Sequence, residues 1–442
     1  MSTAQPTSTA RERWAWYLYD FGNSAYAAVV LLTVYSAYFE GQVVAQAAEG
    51  SRLWGIAVGI AMLVVVLISP VLGTIADFSG AKMRFLLGFT TLSCIFTGLL
   101  FFVQRGDIFI GMLFFILAEI GYRSAQVFYD ALLPEIAAPD EIARVSGYGW
   151  AFGSLGGIVC LLVVLPLIIL IPGTFTVRLS MVIAAVFFAA AAAPVFFTLR
   201  ERAQPQPLPK GESYLTIAFK RLRQTALAVG RFREFVKFVI AFLVFNDGIL
   251  MVLDFGAILG AVLFGLNQQE LIVFMIIVQA TSIAGAYAFG LLAHRFTGKR
   301  ALLVSLVLMI AAVVWLYFEH TLVGFYLIGA LAGFALTGVQ SVSRSVVGTF
   351  CPPGQSAEFF GFFAVAGRTS SFIGPTVFGI VAFRVTNLLM ARGLAETVAK
   401  QTGHRIALFS IIAFLLVGTV LLLAVNEARG RVAAARQPGG EA

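Results

Sequence analysis

Charge is scarce in this 442-residue sequence: only 12% of residues are Asp, Glu, Lys or Arg, where soluble domains carry about 25%. That deficit comes with 60% apolar residues and a mean hydropathy of +0.93. Together they exclude a disordered regulator, a secreted disulfide scaffold and a soluble nucleic-acid binder, and they name lipid as the solvent for most of the chain. Cysteine is equally sparse. Cys94, Cys160 and Cys351 show no Cys-x-x-Cys or metal-ligand spacing and read as packed thiols. Only three histidines occur (His294, His320, His404), scattered at loops or span ends, so no metal site is expected. No Gly-x-x-x-x-Gly-Lys-Ser/Thr loop is present, which leaves gradients rather than ATP as the energy source. No Ser–His–Asp or His–Glu–x–x–His arrangement supports an enzyme, and no cofactor is expected.

What the sequence does have is long apolar runs. A bilayer core is crossed by about 20 helical residues, and twelve stretches satisfy that ruler: 14–39, 53–76, 84–104, 107–132, 147–171, 175–198, 235–264, 270–293, 301–318, 321–347, 359–384 and 404–425. The runs are unbroken rather than alternating, which excludes a β-barrel. The polar stretch up to Arg13 leads into a full span without a small-residue cleavage pattern, so no signal peptide is expected. The net charge of +8 has an address. Arg11, Arg13, Lys82, Arg84, Arg295, Lys299, Arg300, Arg429, Arg431 and Arg436 fall on one side, together with the 199–234 connection. The opposite loops carry Arg52, Arg105, Arg178 and a modest group at Arg384, Arg392, Lys400 and Arg405. The positive-inside rule then predicts cytoplasmic termini.

The 199–234 connection opens on Pro205, Pro207 and Pro209 and becomes amphipathic, with Leu215, Ala218, Phe219, Leu222 and Ala226 at helical spacing beside Lys220, Arg221 and Arg223. An interfacial helix on an anionic leaflet fits that pattern; a regulatory or partner-binding helix is the alternative. The expected organisation is a six-helix half over 1–198, a linker over 199–234, a second six-helix half over 235–426 and a tail over 427–442.

Internal repetition supports the two halves. Gly73-Thr74-Ile75-Ala76-Asp77-Phe78-Ser79-Gly80-Ala81-Lys82-Met83-Arg84 closes span 2, and Gly290 to Arg300 closes span 8 with His294 where an aspartate is expected. Gly147 and Gly153 enter span 5 at the spacing with which Gly361 and Gly367 enter span 11. Asp20-Phe21-Gly22-Asn23 in span 1 matches Asn246-Asp247-Gly248 in span 7. This arrangement, with its Gly-xxx-Asp-xx-Gly-x-Lys turn, resembles the major facilitator superfamily. The resemblance narrows on Trp16-Tyr17-Leu18-Tyr19-Asp20-Phe21-Gly22-Asn23-Ser24-Ala25-Tyr26, Phe128-Tyr129-Asp130-Ala131-Leu132-Leu133-Pro134, Ser146-Gly147-Tyr148-Gly149-Trp150 and Asn246-Asp247-Gly248. It continues in Gly338-Val339-Gln340-Ser341-Val342-Ser343-Arg344-Ser345, Glu358-Phe359-Phe360-Gly361-Phe362 and Gly374-Pro375. These stretches are similar to the branch of autophagy-related vacuolar amino-acid effluxers and their bacterial relatives. The resemblance implies an all-α membrane protein of twelve helices in two six-helix halves. It also implies that Gly73, Asp77, Gly80, Lys82 and Arg84 latch a cytoplasmic gate, and that spans 1, 4, 7 and 10 line a central cavity.

An ionisable group deep in a span costs at least about 2.5–3.5 kcal/mol unless paired or wetted, so each is a candidate. Span 4 carries Glu119, Arg123 and Asp130 on one face, and span 1 carries Asp20, Asn23 and Tyr26. Span 7 carries Asn246, Asp247 and Asp254, span 10 Gln340 and Arg344, and span 11 Arg368. Glu119–Arg123 reads either as an intrahelical ion pair or as a functional one. Asp130 reads as a lock to Arg344 or as a substrate contact. A zwitterion would place its carboxylate on Arg123 or Arg368 and its ammonium on Asp20 or Asp247, with a desolvated aspartate carrying a proton. The expected function is secondary transport of a small solute, amino acids first, by alternating access in a monomer. Other cargo, or a receptor without transport, stays open.

Overall fold

A computed structural model places residues 8–44, 47–209, 212–227, 232–266 and 268–435. All regular structure among them is helical. Lipid offers the backbone no hydrogen bonds, so each crossing segment has to satisfy its own amides and carbonyls along the helix. Eleven helices among the described residues are long and apolar enough to cross a membrane.

The first expected span is helical but changes register. It runs as α1 (Ala10–Tyr26), a π-helical stretch (Ala27–Thr33), α2 (Val34–Tyr38) and a second π stretch (Phe39–Val43). The Val34 amide donates to Val29 O, and the Thr33 hydroxyl donates to Ala28 O at 2.6 Å, widening the turn by one residue. Such turns cluster at functional sites, and this one follows directly on Asn23 and Tyr26.

The first compact unit comprises Met1–Leu227 with Cys351–Ala364. Within it follow α3 (Ala47–Ser79), α4 (Lys82–Leu99), α5 (Ile108–Ala131), the short α6 (Leu133–Ile136), α7 (Ile142–Leu170), α8 (Thr174–Thr198) and α9 (Tyr214–Leu227). The second comprises Ala228–Phe350 with Val365–Ala442. It holds α10 (Arg233–Phe264), α11 (Gln268–Arg295), α12 (Gly298–Phe318), α13 (Leu322–Phe350), α15 (Glu396–Leu423) and α16 (Glu427–Ala435). α14 (Ser356–Ala391) begins in the first unit and continues in the second. In the first unit α1 packs along α8, and α5 along α3 and α4; in the second α10 packs along α15, and α13 along α11 and α12. Equivalent helices therefore take equivalent neighbours.

The amphipathic segment folds as α9 against α3: Ile217 and Ala218 are buried and Tyr214 meets Phe78 edge-on at 6.1 Å. Its apolar stripe is thus divided. Ala218 packs inward while Leu215 and Phe219 face outward beside the exposed Lys220 and Arg223; the side chains of Arg221, Leu222 and Ala226 lie outside the described residues. The three cysteines are free thiols.

Candidate functional site

At the end of α3 the chain turns on Gly80, whose φ of +59° suits glycine, and α4 starts at Lys82. Asp77 is 1% exposed and accepts the backbone N–H groups of Ala357 (3.1 Å) and Glu358 (2.8 Å), the first turn of α14. A carboxylate there meets both unsatisfied amides and the positive end of the helix dipole. Gly73 lets α14 come this close, since a Cβ on it would lie 2.3 Å from Ala357 O. Lys82, also 1% exposed, bridges Asp77 (3.0 Å) and Glu135 (2.6 Å). Arg84 is exposed and takes no part in this cluster.

Two members, Glu135 and Glu201, carry no intrinsic signal of their role. Glu201 accepts the amides of Lys82 (3.1 Å) and Met83 (3.2 Å), capping α4. Arg202 donates its amide to Glu135 and its guanidinium to Glu12, and Arg200's amide reaches Glu12. The second unit repeats the device. Glu427 accepts the amides of Gly298 (3.4 Å) and Lys299 (2.9 Å) at the start of α12, and Glu234 at the start of α10 accepts that of Asn426. Glu201 and Glu427 meet partners more than 100 residues away, which spacing along the sequence does not reveal.

Two acids of the first clamp respond oppositely to pH. Burial pushes Glu12 upward, but the Thr9 amide, the Arg202 charge and the Arg200 amide outweigh it and hold its carboxyl below the usual glutamate range. For Glu201, burial outweighs the Lys82 and Met83 amides and the Lys82 charge, so its carboxyl is raised. A lowered acid contributes stability above its ordinary range and loses it as pH falls; a raised one contributes below that range and loses it as pH rises. Between about pH 6 and about pH 4, a Glu12→Gln variant should therefore lose less melting temperature than the parent.

Deeper in the first unit, Trp16 and Tyr19 of the first signature pack on Tyr129. Trp16 stacks on Tyr129 (4.4 Å, 9°) and donates to its carbonyl, Tyr19 also stacks on Tyr129 (4.9 Å), and the Tyr19 hydroxyl pairs with Thr90. Asp20 is 9% exposed and lies against Gly153, where a Cβ would sit 3.0 Å from its Cγ. Asp130 is half-buried near the end of α5. Glu119 is fully buried and accepts from Arg123 Nε at 2.6 Å. The Arg123 side chain is 23% exposed and its Cζ lies 5.1 Å from the Tyr122 ring centroid, which in turn packs on Tyr26 at 4.6 Å. Tyr26 Oη faces Glu119 and interacts with it, while Asn23 Nδ2 and Ser124 Oγ are buried without a hydrogen-bond partner. Buried polar atoms left this way are uncommon and call for an explanation.

In the second unit Asn246 and Gln340 meet, Nε2 donating to Oδ1 at 3.1 Å. Asp247, 0% exposed, accepts the amide of Gly374 at 2.7 Å, beside Pro375 within α14. Expected to meet substrate or a proton, Asp247 thus has one carboxylate oxygen engaged by the backbone of a proline-containing helix. Asp254 is exposed and Arg344 buried. The Arg368 side chain lies outside the described residues. No group of three or more His, Cys, Asp or Glu among the described residues is placed to hold a metal.

The family model described as "Vacuole effluxer Atg22 like" matches residues 53–435. The chain is 28% identical over 420 residues to the uncharacterized MFS-type transporter YxiO of Bacillus subtilis (strain 168), covering 93% of this chain and 94% of that protein. It is 24% identical over 266 residues to autophagy-related protein 22-1 of Penicillium rubens, 54% of this chain but only 44% of that protein. Among solved structures, the human organic anion transporter MFSD10 (TETRAN) matches with TM-score 0.70 at 16% identity, covering 94% of this chain and 100% of that one. The major facilitator superfamily proton:xylose symporter XylE matches with TM-score 0.66 at 13% identity, covering 95% and 96%. At such identities the likeness is one of fold.

Proposed function

Because the chain belongs to the Vacuole effluxer Atg22 like family, we propose that it is a secondary transporter of the major facilitator superfamily. It moves a small solute across a cytoplasmic membrane by alternating access, with amino acids as the first substrate class and efflux as the first direction. The observation that carries this reading is the buried Glu119–Arg123 pair on the fourth span, together with the unpartnered buried Asn23 Nδ2 and Ser124 Oγ on the first and fourth spans. An inert helical bundle gains nothing from desolvating such atoms, since each unsatisfied group costs about 1–3 kcal/mol. A solute bearing donors and acceptors would satisfy them on arrival.

The Asp77–Lys82–Glu135 cluster at the first turn of α14 supports a cytoplasmic gate. Release of α14 from Asp77 would open that end, and the amides of Ala357 and Glu358 would then exchange protein for water partners. Asp130, near the end of α5 in the same unit, is proposed for the same gate. The test is counterflow of labelled leucine, lysine and glutamate into proteoliposomes holding the full chain. Accumulation of at least one above protein-free vesicles is expected, and an Asn23→Ala, Tyr26→Phe double variant should reduce it by about tenfold or more. Absence of counterflow for all three, with organic anions transported instead, would replace amino acids by the cargo class named for the human structural neighbour.

A further inference from the structure

Helix α9 turns a face that is part apolar and part basic away from the protein. Ile217 and Ala218 are buried where α9 packs along α3, whereas Leu215 and Phe219 are 56% and 61% exposed. At about 3.6 residues per turn, Leu215 and Phe219 stand about 40° apart and form one stripe beside the buried side. Lys220 and Arg223 lie exposed beyond that stripe. The helix carries Lys220, Arg221 and Arg223 and no acidic residue, and Lys220 reaches Glu212, just ahead of the helix, at 3.3 Å. We propose that this face docks on the anionic phospholipid surface of the surrounding bilayer, and that the docking holds the α3–α4 turn in its clamped form through residues 201–206. The docking is independent of the transport reading above; only the name of gate for that turn rests on it.

The position of α9 makes lipid the occupant. Tyr214 meets Phe78 at the end of a helix long and apolar enough to cross a membrane, which sets α9 level with the headgroups. Leu63 and Leu67 are exposed further along α3, so the same helix shows lipid an apolar flank. An amphipathic helix at that level buries its apolar stripe among the acyl chains while its cations meet phosphate.

The link to the turn is short. Phe78 is gripped twice: Tyr214 packs on its ring, and the Gln206 amide donates to its carbonyl at 2.9 Å. Ala203 O and Pro205 lie against Gly80, where a Cβ would stand 3.0 Å from Ala203 O. The Arg202 amide donates to Glu135, which also holds Lys82, and Glu201 accepts the amides of Lys82 and Met83. Residues 201–206 thus strap the turn from Phe78 to Met83, all within the first unit. The seven residues 207–213 join the strap to α9 and include Pro207 and Pro209, which stiffen a linker. A helix anchored among headgroups therefore fixes the far end of the strap. The effect is reciprocal: whatever releases the turn also weakens the hold of α9 on lipid.

The experiment is amide hydrogen exchange on the purified full chain in nanodiscs holding one copy each. The discs are of phosphatidylcholine alone or of phosphatidylcholine mixed with phosphatidylglycerol. Residues 214–223 should exchange more slowly with phosphatidylglycerol, by about fivefold for each of Lys220 and Arg223. Salt at about 0.5 M should erase most of that difference in the parent, because the Debye length falls to about 4 Å. Lys220→Gln with Arg223→Gln should erase it at low salt, and Leu215→Ser with Phe219→Ser should speed exchange in both lipids. In the parent, the amides of Lys82, Met83 and Gln206 should slow together with α9. Glu201→Ala should keep the lipid response of α9 and remove that of Lys82 and Met83. Equal exchange of α9 in the two lipids would overturn the docking. So would protection that appears only when two copies share a disc, which makes a second copy the occupant. A response of α9 that Lys82, Met83 and Gln206 do not share would overturn the coupling. None of these readouts uses a solute, so failure of the transport reading leaves them unchanged.

Discussion

Replacing Lys82 by methionine should lower the unfolding free energy by about 3–5 kcal/mol, the cost of breaking a buried ion pair from one side. Lys82 is a hub: it reaches Asp77 at 3.0 Å and Glu135 at 2.6 Å, with 1% of its side chain exposed. Removing its charge leaves two carboxylates facing each other across a dry turn. Both can respond only by taking up protons or by moving apart, and Asp77 cannot move without letting go of Ala357 and Glu358. Adding Asp77→Asn and Glu135→Gln should restore about 1–3 kcal/mol, because neutral amides need no cation and contacting residues couple by that order. Denaturation of the parent, the single variant and the triple variant in one detergent measures both numbers. Parental stability in Lys82→Met alone would mean that the cluster is energetically neutral and that the gate proposal lacks its latch.

The second large effect concerns space rather than charge. A Cβ at Gly156 would stand 2.0 Å from Phe21 O and 2.6 Å from Phe21 C, both backbone atoms that no rotamer change can clear. Overpacking against side chains costs about 1–3 kcal/mol; against another helix's backbone the expected cost of Gly156→Ala lies at or beyond the top of that range. Gly88, on α4, has nothing within 4 Å of the same added atom. There the substitution should stabilise by about 0.5–1 kcal/mol through helix propensity. Melting temperatures of the two alanine variants should therefore move in opposite directions. Equal shifts would mean that α1 and α7 do not cross at this glycine. The second half has a counterpart at Gly374, where a Cβ would lie 2.9 Å from Asp247 O. The contacts thus align Gly156 with Gly374, where sequence spacing alone aligned Gly153 with Gly367.

That shift of register marks the boundary between what was legible and what was not. The sequence by itself determined the helices: a run of twenty apolar residues in lipid has one way to satisfy its backbone, and that way is local. It also marked which polar residues lie within spans, because the cost of burying Glu119, Arg123 or Asp247 is a property of the residue and its depth. The aspartate–glycine–lysine turn was legible for the same reason, its geometry being set within a few residues by Gly80. What only the tertiary structure decided is pairing. Asp77 meets Glu358 from 281 residues away, Glu201 meets Lys82 from 119 away, and Glu427 meets Lys299 from 128 away. Arg84 turned outward while Lys82 turned in, although both are basic residues of one turn. Asp247 found the amide of Gly374 rather than open space. A side chain's charge is written in the chain, but its partner depends on which helix the fold lays beside it, and hydrogen bonds act only across the last three ångströms.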